Sequence, residues 1–163
     1  MRVRRILLLS IFAAACSPAA IVAAADQCKR IEGKLATVRV SENCTSPVNF
    51  CASGVVTGKD LISGTTQATV LGLVPSVGLP GVEPETTLSY AGERTIQTSH
   101  GTLTLRFTGV FDTARGEASE LERVTAGTGR FKNATGTVWL AATANTEGTV
   151  FEGKLSGQLC LAR

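Results

Sequence analysis

Polar and apolar residues alternate along much of this chain. In residues 102–107 the alternation is strict and places Leu103, Leu105 and Phe107 on one face of an extended segment, which predicts a half-buried β-strand. Similar runs recur at short spacing, at 34–40, 48–57, 66–74, 87–91, 94–98, 102–107, 116–124, 135–144 and 150–161. Helical periodicity is absent, so the chain is predicted to be all-β, either a barrel or a sandwich.

The segments between these runs carry turn signals. Ser99-His100-Gly101 and residues 112–116 are predicted hairpin turns, because Gly and Asp supply the backbone geometry that such turns need. The segment 75–85 contains Pro75, Pro80 and Pro84 and cannot be a central strand. It is predicted to be a crossover loop, with a lid over one end of the fold as the alternative.

Two runs, 68–74 and 138–142, are apolar on both faces. Such strands are usually covered on both sides, and the outer cover would be a loop, a terminal segment or another subunit. In the second run Val138 and Leu140 share one face. If that face is the inner one, Trp139 points outward, where a large indole is best explained by a subunit interface or a covering segment.

The first 25 residues contain Arg2, Arg4 and Arg5, then an apolar run, then Ala23-Ala24-Ala25 before Asp26. This pattern predicts a secretory signal peptide over 1–25 and a single β domain over 26–163. The alternative is a lipoprotein anchored at Cys16. No later apolar run reaches the roughly 18 residues of a membrane-spanning helix, so we expect a secreted or periplasmic protein.

The net charge of +3 comes from this leader. Removing its three arginines from sixteen Lys+Arg leaves thirteen, which equals the thirteen Asp+Glu. Without a cluster of Lys or Arg, the domain has no electrostatic surface for nucleic acid or for anionic membranes, and neither partner is expected.

Four cysteines remain beyond residue 25, and an even count in an exported chain predicts two disulfides. Cys44 and Cys51 flank a short loop and form the natural local pair, which leaves Cys28 to pair with Cys160. A metal site of four cysteines is the rival interpretation. It is disfavoured because no CxxC spacing occurs, and neither a metal nor a cofactor is expected.

Residues 124–140, VTAGTGRFKNATGTVWL, form the most informative motif of the chain. Gly127, Gly129 and Gly136 indicate a corner where the backbone turns or passes close to a neighbour, and Phe131 is placed to plug a core. Together with Val124, Thr128 and Val138, this motif resembles that of the allene oxide cyclase and dirigent proteins. The resemblance extends from about residue 85 to the C-terminal end.

The resemblance implies a small closed antiparallel eight-stranded β-barrel, calycin-like, that associates as a trimer. In such a barrel the first and last strands are neighbours, so a Cys28–Cys160 bridge would join them across the closure. Eight strands leave an interior that is either filled by side chains or holds one small ligand.

Five polar residues are candidates for binding a ligand. Tyr90, Glu93 and Arg94 are one set, since proteins of these families use carboxylates, Arg and Tyr inside the barrel to position or polarise a small molecule. Glu120 and Glu122 are the other set, because alternation puts them on one face. Two such carboxylates on an inner wall would raise one pKa and could act as acid and base, whereas on the outer wall they would merely be solvated. No catalytic residue is carried over from the families.

The chain offers few groups for catalysis. His100 is the single histidine and lies in a predicted turn, and no GxSxG motif is present. We therefore expect an exported β-barrel that binds a small apolar ligand without covalent chemistry. The alternatives are a dirigent-like or allene-oxide-cyclase-like isomerase or cyclase acting on a small apolar molecule, and a structural or interaction protein whose barrel is filled.

Overall fold

The computed structural model describes residues 27–59, 61–76 and 86–162. They form one closed antiparallel barrel of eight strands. The predicted fold is therefore confirmed, and a sandwich is excluded. The predictions for the signal peptide, for Cys16 and for most of the segment 75–85 lie outside the described residues.

Each strand pairs with its neighbours in sequence, and β1 also pairs with β8 to close the barrel. The strands are β1 Gln27–Val40, β2 Cys51–Gly58, β3 Gly64–Pro75, β4 Thr87–Thr98, β5 Gly101–Asp112, β6 Glu117–Gly127, β7 Thr135–Ala144 and β8 Val150–Leu161. No helix in these ranges is long and apolar enough to cross a membrane.

Several of the predicted boundaries are wrong. β1 begins at Gln27, ahead of the predicted run 34–40, and β5 continues to Asp112, beyond the predicted run 102–107. The runs 87–91 and 94–98 belong to one strand, β4, because Gly92 and Glu93 continue the pairing with Phe107 and Arg106 of β5. A side chain at Gly92 would overlap the Phe107 ring, so this glycine accommodates the ring instead of ending the strand. The run 48–57 is also shorter than predicted, since β2 begins only at Cys51.

Both predicted disulfides are confirmed. Cys28 of β1 lies directly opposite Cys160 of β8 and is bonded to it across the closure of the barrel. Cys44 is bonded to Cys51 and closes the loop between β1 and β2. The long-range bridge spans 132 residues. Because it restricts a longer loop of the unfolded chain, it contributes about 5 kcal/mol to the free energy of unfolding, whereas the local bridge contributes about 2.4 kcal/mol.

One end of the barrel is filled with large apolar side chains. They come from most of the strands and from the connection between β2 and β3, which supplies Ile62, and they include Ile31, Val56, Ile62, Ile96, Leu103, Leu105, Val138, Leu155 and Leu159. Phe131, in the connection between β6 and β7, is packed into the same cluster with no exposed surface. The predicted plug is therefore confirmed, and we call this end of the barrel the closed end.

The glycine corner around Phe131 has the predicted character. Gly129 has a φ of 56°, a left-handed conformation that favours glycine. Gly127 lies so close to Phe131 that a Cβ on Gly127 would overlap the Phe131 backbone carbonyl. The motif thus holds the plug in place.

The inside-outside assignment of β7 is also confirmed. Val138 and Leu140 are 3% exposed, whereas Trp139 between them is 58% exposed. Towards the end of the barrel opposite the closed end, other large apolar side chains are exposed as well. We call this set, Leu71, Val74, Val110 and Trp139, the outer apolar face.

We expect Phe131→Ala to lower the free energy of unfolding by about 3 to 5 kcal/mol, because it leaves a cavity in a fully packed cluster. Denaturant melts measure the loss. Lys132→Ala, at the exposed neighbouring position, is the control and should change stability by less than about 0.5 kcal/mol. A Phe131→Ala loss as small as that of the control would show that the corner does not hold the core.

Candidate functional site

Opposite the closed end, the barrel contains a cavity of about 290 Å³. Its wall is formed where β1, β3, β5 and β7 end and where β2, β4, β6 and β8 begin. Most of the wall is apolar and rich in aromatic rings, with contributions from Phe50, Phe107, Phe111 and Phe151. A largely apolar concavity with few polar groups is the usual character of a small-molecule site.

The loop between β1 and β2, residues 41–50, folds against the mouth of this cavity. Ser46 is buried, and its Oγ donates to the carbonyl oxygen of Val70 at 2.5 Å while accepting from the backbone N–H groups of Val48 and Phe50. Val48 and Phe50 therefore become part of the cavity wall. Both residues lie in the predicted run 48–57 but precede β2, so their place in the cavity wall was not predicted.

Arg39, at the rim of the cavity, was also missed. Its Nη2 donates to the carbonyl oxygen of Asn49 at 3.0 Å, and its guanidinium lies 5.1 Å from the centre of the Phe50 ring. The signal was present in the sequence, because alternation along β1 places Leu35, Thr37 and Arg39 on one face.

Within the barrel, four polar side chains meet, and we call them the polar floor: Tyr90, Arg94, Glu120 and Glu122. Arg94 donates from Nε to Oε1 of Glu122 at 2.8 Å and from Nη2 to Oε2 of Glu120 at 2.9 Å. Tyr90 donates its hydroxyl to Oε1 of Glu120 at 2.8 Å. Tyr90, Arg94 and Glu120 line the cavity, whereas Glu122 has no exposed surface and is not part of the wall.

The intervening strand β5 makes this cluster possible. Gly109 lies opposite both Tyr90 and Glu120, and a Cβ at Gly109 would be 2.9 Å from each of these side chains. Two residues earlier, Phe107 packs edge-to-face with Tyr90 and lies 5.5 Å from the Arg94 guanidinium. Gly109 thus leaves space over β5 for the polar side chains of β4 and β6 to meet, and Phe107 packs beside them.

The structure brings together four of the five predicted ligand-binding candidates and excludes the fifth. Glu120 and Glu122 face inward, so the alternative of a solvated outer face is wrong for them. Glu93 points outward, where its side chain is 42% exposed and lies 3.7 Å from Arg106. Alternation along β4 explains the difference, since Tyr90, Gly92 and Arg94 share the inner face and Glu93 falls between them.

Burial and mutual repulsion control the charges of the floor. Burial raises the pKa of Glu122 to about 7, and the neighbouring Glu120 adds to this rise, while Arg94 opposes it. Burial by itself would lower the pKa of Arg94, but the two carboxylates outweigh that effect and hold the pKa above its ordinary value. Burial and the charge of Glu120 also raise the pKa of Tyr90. Arg94 therefore stays cationic and Tyr90 neutral, while Glu122 changes charge near neutral pH.

Glu122 has one oxygen without a partner. Its Oε2 is buried and makes no hydrogen bond to any part of the chain that the structure describes. A proton on Oε2 would neutralise the carboxyl and give it a hydrogen-bond donor, in line with burial and the neighbouring Glu120 as causes of the raised pKa. Residues 27–59, 61–76 and 86–162 contain no group of three or more potential metal ligands among His, Cys, Asp and Glu.

We expect the raised pKa of Glu122 to make stability depend on pH. Because the folded-state value of about 7 exceeds the ordinary 4.5, the contribution is complete below about pH 4.5 and is lost as the pH rises through 7. The difference corresponds to about 3 kcal/mol. Glu122→Gln removes this titration, so its free energy of unfolding should decline less than that of the wild type between these pH values.

Urea melts across this pH range measure the effect. Glu117→Gln removes a carboxylate from an exposed position of the same strand and should keep the wild-type decline. If the free energy of unfolding declined equally with pH in the wild type and in Glu122→Gln, a raised pKa of Glu122 would be contradicted.

Comparisons of the chain with protein-family models, with curated proteins and with solved structures found no match. The resemblance to the allene oxide cyclase and dirigent proteins therefore stays a prediction based on the Gly-Phe motif. The site described above is characterised by its own geometry alone.

Proposed function

We propose that this protein binds one small apolar molecule inside the barrel and performs no covalent chemistry on it. The observation that carries the proposal is the cavity of about 290 Å³, whose apolar wall ends at Tyr90, Arg94 and Glu120. Small-molecule sites combine an apolar enclosure with a few polar groups that orient the ligand, and this cavity has both.

The distribution of residue sizes favours ligand binding over a barrel filled throughout. The closed end carries large aliphatic side chains and Phe131. Around the cavity, alanines take inner positions on four different strands: Ala52, Ala68, Ala118 and Ala142. Small side chains on the inner wall preserve the space that larger ones would fill.

A second candidate function is isomerisation or cyclisation, as the resemblance to allene oxide cyclase and dirigent proteins suggests. It is favoured by the raised pKa of Glu122, which places a carboxyl able to take up or release a proton near neutral pH beside Glu120 and Arg94. It is disfavoured because Glu122 does not touch the cavity. Conversion of a bound molecule into an isomer, detected by chromatography, would establish this function over simple binding.

The proposed location is the periplasm or the extracellular space, reached through the predicted signal peptide. The two disulfides support it, because such bonds persist in oxidising compartments.

A further part of the proposal is a homo-oligomer, a trimer by the resemblance, in which a second copy of the chain covers the outer apolar face. The exposure of Trp139, Val74 and Val110 supports this, because large exposed apolar patches usually mark interaction surfaces.

We expect Ala142→Phe to weaken the binding of an apolar fluorescent dye at least ten-fold, because the new ring would occupy the cavity. Ala141→Phe is a matched control, since the neighbouring residue is exposed on the outside of the same strand. Dye titration measures affinity, and circular dichroism verifies the fold of both variants. Equal dye affinity in the two variants would contradict binding inside the barrel.

We expect Trp139→Glu to lower the oligomeric mass while leaving a folded, β-rich monomer, because it places a charge on the outer apolar face. Sedimentation gives the mass and circular dichroism the fold. Thr57→Glu, at an exposed position on β2, is the control and should keep the wild-type mass. A monomeric wild type, or an unchanged mass in Trp139→Glu, would count against the interface.

A further inference from the structure

We propose that the cavity selects apolar molecules that carry a neutral hydroxyl or carbonyl group and rejects carboxylates, with Glu120 as the residue that determines this selectivity. The inference rests on the proposed function, since it describes the ligand of the same cavity. It follows from which charged groups and hydrogen-bonding atoms of the polar floor are bonded to one another and which remain available to a ligand.

The one positive charge of the floor is shared between two carboxylates. The Arg94 guanidinium is buried and contacts both Glu120 and Glu122, at 2.9 and 2.8 Å. No cationic charge is left on the floor to pair with a ligand. A carboxylate placed there would lose its water and face Glu120, which is unfavourable because buried charges require a partner of opposite sign.

The hydrogen-bonding capacity that remains suits a neutral oxygen. Nε and Nη2 of Arg94 are engaged, whereas its Nη1 has no hydrogen-bond partner among the described residues. Each oxygen of Glu120 accepts one hydrogen bond, from Tyr90 or from Arg94, and keeps a further lone pair. A ligand hydroxyl could accept from Nη1 and donate to Glu120, and a carbonyl could accept from Nη1.

An ammonium group does not fit this arrangement. It can only donate hydrogen bonds, and it would bring a second positive charge next to the guanidinium of Arg94. The carboxylate that would balance its charge, Glu120, is already paired with that guanidinium.

Arg39 at the rim is the alternative partner for a carboxylate. It is exposed, donates to Asn49 and covers the Phe50 ring. Ion pairs with solvated side chains contribute little, and a ligand held there would leave an apolar chain end against the polar floor. We therefore place the oxygen of the ligand at the floor and its apolar body towards the mouth.

The test uses 1-octanol, octanoate and octylammonium as competitors of a bound apolar dye, each below the concentration at which it aggregates. Wild-type protein should bind octanol at least ten-fold more tightly than octanoate or octylammonium. Glu120→Gln removes the negative charge that a ligand carboxylate would face, so the ratio of octanol to octanoate affinity should fall at least five-fold. Glu117→Gln, on the outer side of the same strand, should keep the wild-type ratio.

The outcomes separate this inference from the function on which it rests. If none of the three competitors displaces the dye, the proposed function fails together with the inference. If octanoate or octylammonium binds as tightly as octanol, or if the ratio changes in Arg39→Gln and not in Glu120→Gln, only the inference is overturned.

A measurement on the wild type keeps the inference testable if Glu120→Gln does not fold. The charged or titratable groups around Glu122 are Arg94 and Tyr90 on β4 and Glu120 on β6. The residues that pair with Glu122 on the neighbouring strands, Phe107 on β5 and Val138 on β7, have no charged or titratable group. Because Glu122 takes up a proton below its pKa, octanesulfonate, which stays anionic at both pH values, should bind several-fold more tightly at pH 6 than at pH 8, while octanol should not. Equal octanesulfonate affinity at the two pH values would overturn the inference.

Discussion

The buried guanidinium of Arg94 is the constraint around which the interior of this barrel is arranged. A cation without water contact requires partners, and Arg94 has two carboxylates from β6 within 2.9 Å. Those carboxylates in turn require β5 to leave room between β4 and β6, which Gly109 provides. Burial, together with the surplus of one carboxylate over one cation, then raises the pKa of Glu122. The arrangement of the two carboxylates, the glycine at position 109 and the raised pKa of Glu122 are thus all linked to the buried charge of Arg94.

The polar floor also divides the barrel into two halves with different packing. Towards the glycine corner, branched aliphatic side chains and Phe131 fill the interior completely. Towards the β1–β2 loop, alanines and aromatic rings leave a cavity. A uniformly filled barrel would bury the polar floor on all sides, whereas here Tyr90, Arg94 and Glu120 keep one face towards the cavity. That face is what allows a ligand oxygen to be recognised.

The two disulfides stabilise the closure of the barrel and the loop that forms part of the cavity wall. Cys28–Cys160 joins the first and last strands, so closure does not rest on backbone pairing alone. Cys44–Cys51 fixes the loop that supplies Val48 and Phe50 to the cavity, together with the buried hydroxyl of Ser46. Both bonds act chiefly by restricting the unfolded chain.

Local patterns in the sequence predict the all-β class, the buried Phe131 and the Cys44–Cys51 bond, because alternation, turn residues and short cysteine spacing act over a few residues. Cys28 and Cys160 are then paired by elimination. Alternation also puts Trp139 and Glu93 on the opposite face from their neighbours and puts Glu120 and Glu122 on one face, but which face is inside depends on the whole sheet. The closed sheet places Glu93 outside and brings Tyr90 and Arg94 to the two carboxylates across β5. The cavity was likewise invisible in the sequence, because the space inside a closed barrel is set by residues from all eight strands together.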